Sequence, residues 1–297
     1  MKVFSLKLQQ LKAAENVTDL AKILGVQPKT ISFVVYKLPI ADKYRAFTIP
    51  KRGGGTRDIL APDPRLKLVQ SRLSMLLLEI EEILERDRTR HHCILAHGFK
   101  RNLSIITNAE NHRNQRYVFN ADLKDFFPSI NFGRVRGFFL KNDDFALKPA
   151  VATLIAQIAC HNNQLPQGSP CSPPISNFIA HIMDIHLNKL ARKNRCTYTR
   201  YADDLTFSTN EKEFPSKIAS LVNGTTDRWA AGDGLVSRVH RAGFQLNVAK
   251  TRMQYKDSVR IRPGSSLTAR LTCRWNTPSW PEPGVIICSG TAYRSMW

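Results

Sequence analysis

The stretch CTYTRYADDLTFST, residues 196–209, is the most informative part of the chain. Two runs rich in β-branched and aromatic residues flank the pair Asp203-Asp204, a composition typical of two strands joined by a turn. Neighbouring side chains on one strand point to opposite faces, so only a tight turn lets both carboxylates reach one site. The stretch therefore predicts an antiparallel hairpin with two acids at its tip.

A third acid, Asp122, lies near the end of another predicted strand, within YVFNADLKDFF at residues 117–127. Carboxylates that converge offer the oxygen ligands that Mg²⁺ prefers, and two divalent ions about 3.5 to 4 Å apart need several of them. Surface turns also contain Asp-Asp pairs often. On residue type alone, the three acids fit a strand end and a solvated turn as well as a metal site.

The net charge favours a polyanionic partner. The 297 residues contain 44 Lys and Arg against 24 Asp and Glu, which gives a charge of +20 and a pI near 10.0. Basic side chains that neutralise phosphates release condensed counterions, and this release drives binding to nucleic acid. The alternative is a solvated basic surface without a role.

Other compositional features exclude several classes of protein. The six cysteines form no Cys-x-x-Cys pair, so we expect reduced thiols. The run His91-His92-Cys93 has no second ligand pair at zinc spacing, which argues against structural zinc. We find neither a signal peptide nor an apolar run of about 18 residues, and expect a soluble, cytoplasmic protein with no membrane partner.

The order of predicted elements indicates the α+β class, with helices and strands in irregular alternation. Residues 16–38 predict a short helical hairpin that packs on a larger body; a DNA-binding helix-turn-helix is the alternative. Residues 44–62 predict a β-hairpin with Lys51, Arg52 and Arg57 around a Gly-rich tip. Long helices are predicted over 67–87 and 175–192, with a Gly- and Pro-rich loop at 165–174 between them.

Several motifs together resemble one family, the reverse transcriptases. Tyr201-Ala202-Asp203-Asp204 resembles the family's Tyr-x-Asp-Asp box, and residues 122–127, DLKDFF, resemble its first metal-binding block. LPQGSP at 165–170 is similar to the block beneath the incoming nucleotide. The remaining ordered pieces are the hairpin ending in Arg57, HGF with Ser104, GFQLN at 243–247, and Lys250.

Within that family, the chain is similar to the retron type. NAENH, from Asn108 to His112, resembles the retron Asn-Ala-x-x-His signature and lies just before the Asp122 strand, as it does in retron enzymes. The alternative interpretation is a helix terminus capped by an Asn. Group II intron and diversity-generating reverse transcriptases are the competing lineages.

The resemblance implies a fold and a set of residue roles. The fold would be a right-hand polymerase whose palm is an antiparallel sheet backed by helices, divided into an N-terminal helical extension (1–42), fingers and palm (43–257), and a short or atypical thumb (258–297). Asp122, Asp203 and Asp204 would be the catalytic acids that hold two Mg²⁺ ions. The other implied roles are nucleotide binding by Lys51, Arg57, Asp125, Phe126, Phe127, Gln167 and Lys250, and RNA or template binding by Asn108, His112, Gly168 and Ser169.

Among these residues, Phe127 would exclude a 2′-hydroxyl, so that the product is DNA. Lys51 and Arg57 would clamp the nucleotide's phosphates, and Lys250 would neutralise pyrophosphate or supply its proton. Each basic residue has a simpler alternative as a solvated charge.

The resemblance also implies partners. These are dNTPs and a structured non-coding RNA that serves as template and primer source, a branched RNA-linked DNA product, and an effector protein in defence against phage. Residues 258–297 show neither the Val-Thr-Gly block nor the helical thumb of retron enzymes. The tail is therefore a divergent thumb, or the chain is shortened or altered. A non-catalytic RNA-binding relative is the alternative function.

Overall fold

A computed structural model describes residues 6–50, 56–89 and 94–255, without the side chains of 87–89. The predicted α+β class is confirmed, because helices surround antiparallel sheets. Lys51, the run His91-His92-Cys93 and the predicted tail 258–297 lie outside the described residues. No helix in the described part is long and apolar enough to cross a membrane.

The N-terminal segment forms helices that pack on the rest of the chain. They are α1 (Leu6–Ala13), α2 (Val17–Leu24) and α3 (Pro28–Ser32), followed by a π-helical turn (Phe33–Lys37) and a 3₁₀ turn (Ile40–Asp42). The Asn16 side chain accepts the amide hydrogens of residues 18 and 19 and so begins α2, and Gly25 ends it with a φ of 65°. Leu8 and Leu20 are buried in the main core, as expected for helices that pack on a larger body.

The predicted basic hairpin is confirmed. Strands β1 (Tyr44–Pro50) and β2 (Thr56–Pro62) pair antiparallel, and Ile49 lies opposite Arg57 next to the tip. The chain continues into α4 (Pro64–Thr89), which matches the helix predicted over 67–87. Its apolar side chains recur every three to four residues and are buried, so packing against the core stabilises this helix.

The remaining elements build a central sheet and its supports. They are α5 (Ile105–Glu110), β3 (Tyr117–Asp122), α6 (Phe132–Lys141), α7 (Pro149–Ala159), α8 (Ser172–Lys193), β4 (Thr197–Tyr201), β5 (Asp204–Thr209), β6 (Ala219–Leu221), β7 (Trp229–Ala231), α9 (Asp233–Arg241) and β8 (Arg252–Tyr255). The four-stranded sheet has the order β4-β5-β3-β8, and every neighbouring pair is antiparallel. Strands β6 and β7 form a separate small hairpin.

The two faces of the central sheet differ in polarity. Phe119 of β3 lies opposite Phe207 of β5, and both are fully buried in the apolar core that includes α6 and α8. On the other face, Asn120, Thr206 and Thr199 lie side by side across three strands, and Thr206 Oγ1 donates to Asn120 Oδ1 at 3.2 Å. Asp122 and Asp204 lie two residues further along β3 and β5, at the strand ends and on this same face.

Candidate active site

The sheet register brings the three predicted acids together at the ends of the inner strands β3 and β5, a place that is called the acidic edge below. Asp122, the last residue of β3, lies directly opposite Asp204, the first residue of β5. Asp203 lies in the two-residue turn between β4 and β5, and its carbonyl accepts the amide hydrogen of Leu123 at 2.9 Å. Ala202, the other turn residue, has a left-handed φ of 57°. The predicted hairpin with two acids at its tip is therefore confirmed.

Burial, and then the proximity of other carboxylates, raises the pKa values of Asp203 and Asp204. Burial, and then the charges of Asp203 and Asp122, raise the pKa of Asp204 to about 7. Burial and the charge of Asp122 also raise the pKa of Asp203, and the nearby charges of Lys250 and Arg57 oppose that rise. The edge thus concentrates more negative charge than its surroundings neutralise, a condition that favours a bound cation.

One cation of the chain itself already contacts this edge. Lys250 Nζ lies 3.0 Å from both carboxylate oxygens of Asp122, and its side chain is 59% exposed. Asn247 supports the same acid, because its backbone N–H donates to the backbone carbonyl of Asp122 at 2.7 Å. A cleft of about 270 Å³ lies at this point, and its lining includes Asp122, Asp204, Asn120, Lys250 and Arg252.

The donor set fits magnesium in its chemistry. Three carboxylates within mutual electrostatic reach supply hard oxygen ligands, and the raised pKa values of Asp203 and Asp204 reflect burial together with repulsion from the neighbouring acids. In the described part of the chain, no three His, Cys, Asp or Glu side chains already converge as a ligand set. The Asp122 carboxylate instead contacts Lys250, so a bound metal would either share this carboxylate with the Lys250 ammonium or displace it.

The segment after Asp122 forms a compact turn with two buried rings. Asp125 is exposed and has a left-handed φ of 47°, and its carbonyl accepts the amide hydrogen of Ser129 at 2.8 Å. Phe126 and Phe127 are buried, and the Phe127 ring lies 5.8 Å from that of Phe99. The turn thus fixes the Phe127 ring against the HisGlyPhe segment.

The predicted nucleotide loop is joined to the basic hairpin. The Gln167 carbonyl accepts the amide hydrogen of Leu60 in β2 at 2.7 Å. Gly168 has a φ of 116°, and a β-carbon there would lie 2.5 Å from the Leu60 carbonyl oxygen. Ser169 is buried, with its Oγ 3.3 Å from Cys171 Sγ, so its side chain faces the interior. Across the site, Arg57 is close enough for its charge to act on Asp203.

The two residues of the retron-like signature lie inside the protein. His112 is fully buried, and its ring nitrogens lie 2.7 Å from Ser208 Oγ and from Thr199 Oγ1. Asn108 is also buried. The His112 ring faces the sheet, and because both side chains are buried the structure does not present them on a surface that RNA could reach. Burial lowers the pKa of His112 to about 3, which keeps the ring neutral.

Sequence reasoning assigned no role to several residues that shape this site. Asn247 was quoted within a motif, and Arg252 was passed over, although its charge acts on Asp204. Asp184 and Arg200 form a buried ion pair behind the Asp203 turn. A charged residue inside an apolar helix or strand was the signal that could have identified that pair.

Comparison with known proteins gives one family and a consistent set of relatives. Residues 49–262 match the family described as reverse transcriptase (RNA-dependent DNA polymerase). The chain is 33% identical over 273 residues to the retron Mx162 reverse transcriptase of Myxococcus xanthus, with 84% of this chain and 52% of that protein covered. It is 32% identical to the retron Mx65 reverse transcriptase of the same organism, with 85% and 58% covered.

A third relative comes from another organism. The retron Ec86 reverse transcriptase of Escherichia coli is 29% identical, with 84% of this chain and 71% of that protein covered. The chain therefore spans a little over half the length of the two Myxococcus relatives and about 71% of the Escherichia one.

Proposed function

Because the chain belongs to the reverse transcriptase family, we propose that it is an RNA-directed DNA polymerase of the retron type. The observation that carries the proposal is the strand register that sets Asp122 opposite Asp204, with Asp203 in the adjoining turn. An unrelated surface turn would not combine this pairing with raised carboxylate pKa values and the nearby charges of Lys250 and Arg57.

In this proposal, Asp122, Asp203 and Asp204 hold two Mg²⁺ ions, which supply Lewis acidity toward the primer 3′-hydroxyl and the leaving pyrophosphate. Lys250 is the cation poised at the product side. Its ammonium contacts the Asp122 carboxylate, and its side chain lines the cleft and is more than half exposed to solvent, so it can move to a departing phosphate. Arg57 adds a guanidinium near Asp203, suited to a second phosphate.

Nucleotide selection would rest on the turn after Asp122 and on the loop at 165–170. Phe127 is held by Phe99 and so can act as a rigid plate below the sugar, against which a 2′-hydroxyl would clash. Asp125, Phe126 and Gln167 would complete the pocket, and Lys51 would reach the phosphates. Gly168 and Ser169 would support the template side through the backbone contact of the loop with β2.

We propose the same division of the chain as the resemblance implies: an N-terminal helical extension at 1–42, fingers and palm at 43–257, and a thumb segment at 258–297. The contact between the Gln167 carbonyl and Leu60 supports treating hairpin and palm as one unit, since it joins the predicted fingers to the nucleotide loop.

The template would be a structured retron RNA, with a guanosine 2′-hydroxyl that starts the DNA and leaves a branched RNA–DNA product. An effector protein would complete a system for defence against phage. Similarity to three retron reverse transcriptases supports this finer proposal.

Expression of the gene with its flanking DNA should yield single-stranded DNA joined to RNA in the purified complex, and Asp203→Asn should abolish this product. Recovery of RNA without any DNA would favour a non-catalytic RNA-binding protein.

The polymerase proposal is tested by primer extension. Purified protein with Mg²⁺, dNTPs and an RNA template annealed to a DNA primer should extend the primer, and Asp203→Asn should slow extension by about a hundredfold or more. Asp227→Asn is the matched control, because Asp227 is exposed in the β6–β7 turn. Removing a carboxylate whose pKa is raised should not lower the melting temperature, so unfolding cannot explain the loss. Equal extension by both variants would contradict the proposal.

A further inference from the structure

A buried ion pair lies directly behind the turn that carries Asp203. Arg200 of β4 and Asp184 of α8 are both fully buried, and the guanidinium donates to both carboxylate oxygens at 2.8 Å. A buried ion pair is weak grounds for stability, because apolar residues of similar volume often stabilise a core at least as well. Stability of the core therefore does not by itself explain the presence of the Arg200–Asp184 ion pair.

The remaining nitrogen of Arg200 contacts the turn itself. Its Nη1 donates to the Ala202 carbonyl at 2.9 Å and to Asn177 Oδ1 at 3.2 Å. Ala202 has a φ of 57°, a left-handed conformation that its β-carbon disfavours. A charge-assisted hydrogen bond to its carbonyl can hold the residue in this conformation.

The other side of the turn is held through Asn177 as well. Asn177 Nδ2 donates to the Gly98 carbonyl at 2.9 Å. Gly98 packs so closely on the turn that a β-carbon there would lie 2.5 Å from the Ala202 nitrogen. Asn177 thus connects the guanidinium on one side of Ala202 with the backbone that covers the other side.

We propose that Arg200 is a positioning residue that sets the geometry of Asp203 and Asp204 through the Ala202 carbonyl. Asp184 and Asn177 hold its guanidinium in the orientation that this contact needs. Arg200 is sealed from the cleft, so it touches neither substrate nor metal. The inference rests on the proposed function, because its consequence is the affinity of the three acids for divalent metal.

The test replaces the ion pair without leaving a buried charge. In the double variant Arg200→Met, Asp184→Leu the volume is nearly kept, the fold should survive, and the contact to Ala202 is lost. We expect the Mg²⁺ concentration for half-maximal primer extension to rise by about tenfold or more, since hydrogen bonds to a charged donor are worth at least that factor. The KM for template-primer should change by less than about twofold, since no RNA contact is altered.

Tyr198→Phe is the matched control. The Tyr198 hydroxyl donates to the same Asp184 carboxylate at 2.7 Å and does not contact the turn. Its loss should leave the Mg²⁺ requirement unchanged. A folded double variant with the parental Mg²⁺ requirement would overturn the inference, since the pair would then serve the core alone.

Two further arrangements keep the test decisive. If the double variant does not fold, Arg200→Lys takes its place, because an ammonium keeps the charge beside Asp184 but cannot form the guanidinium's fork of contacts. The same rise in the Mg²⁺ requirement is expected, and no rise overturns the inference.

If the parent itself extends no primer, the proposed function fails. Mn²⁺ binding measured by calorimetry on parent, double variant and Tyr198→Phe then decides the inference by the same comparison.

Discussion

Replacing Gly98 by Ala should reduce the proposed polymerase activity about a hundredfold in a protein that still folds, because the added methyl group presses on the backbone of the turn that carries Asp203. The new β-carbon would lie 2.5 Å from the Ala202 nitrogen and 3.2 Å from its α-carbon. Ordinary contact between such atoms needs about 3.5 Å, so the two backbones must separate by roughly 0.5 to 1 Å. A misplacement of about 1 Å at reacting groups costs on the order of 10²-fold in rate, whereas overpacking costs about 1–3 kcal/mol of stability.

The measurement is single-turnover primer extension at saturating Mg²⁺ and dNTP, together with urea unfolding of the same preparation. Gly137→Ala is the matched control: it lies in helix α6, and nothing lies within 4 Å of its added β-carbon. It should keep the full rate and gain about 0.5–1 kcal/mol of stability. Gly98→Ala with an unchanged rate would refute the reasoning, since the turn would then tolerate displacement or the close approach would not exist.

Three further predictions concern stability and selectivity. Burial lowers the pKa of His112 to about 3, from about 6.5 in the unfolded chain, so the unfolded state takes up a proton first as the pH falls. The free energy of unfolding should therefore decrease by about 2 kcal/mol between pH 7 and pH 5 because of this group. Urea unfolding of His112→Gln should lack that decrease. Asn16→Ala removes the cap of α2 and should lower the free energy of unfolding by about 1 kcal/mol, with Thr18→Ala, which keeps the cap, as the comparison. Phe127→Ala should raise ribonucleotide incorporation relative to deoxyribonucleotide by roughly tenfold or more in extension assays, and unchanged selectivity would exclude the plate role.

The sequence could predict the hairpin that carries Asp203 and Asp204 because its signals are local. Alternating β-prone residues on both sides of Asp203-Asp204 leave a tight turn as the only way to bring both acids together, and the register then sets Asp204 opposite Asp122. The basic hairpin and the two long helices carry equally local signals. These elements were predicted within a few residues of their observed bounds.

Tertiary contacts set the features that sequence reasoning missed. The sequence around His112 is typical of an exposed polar helix end, yet the residue lies under the sheet. Thr199 and Ser208, which follow it by 87 and 96 residues, satisfy its two ring nitrogens. The contact between Lys250 and Asp122 is likewise non-local. No periodicity in one dimension shows which polar groups will find each other across such distances.

The strongly basic charge of the chain and the acidic active site are compatible because they act over different distances. A net charge of +20 attracts a polyanion from solution, but its field is screened beyond a Debye length of about 8 Å at physiological salt. At the sheet edge, burial and mutual repulsion dominate, since the pKa of Asp204 is raised to about 7 despite the nearby Arg252 and Lys250. Under the proposed function, the net positive charge would attract the phosphate backbone of a template, while the three acids would attract a small divalent cation. Lys250 links the two regimes, because the cation that balances Asp122 is itself exposed and lines the cleft.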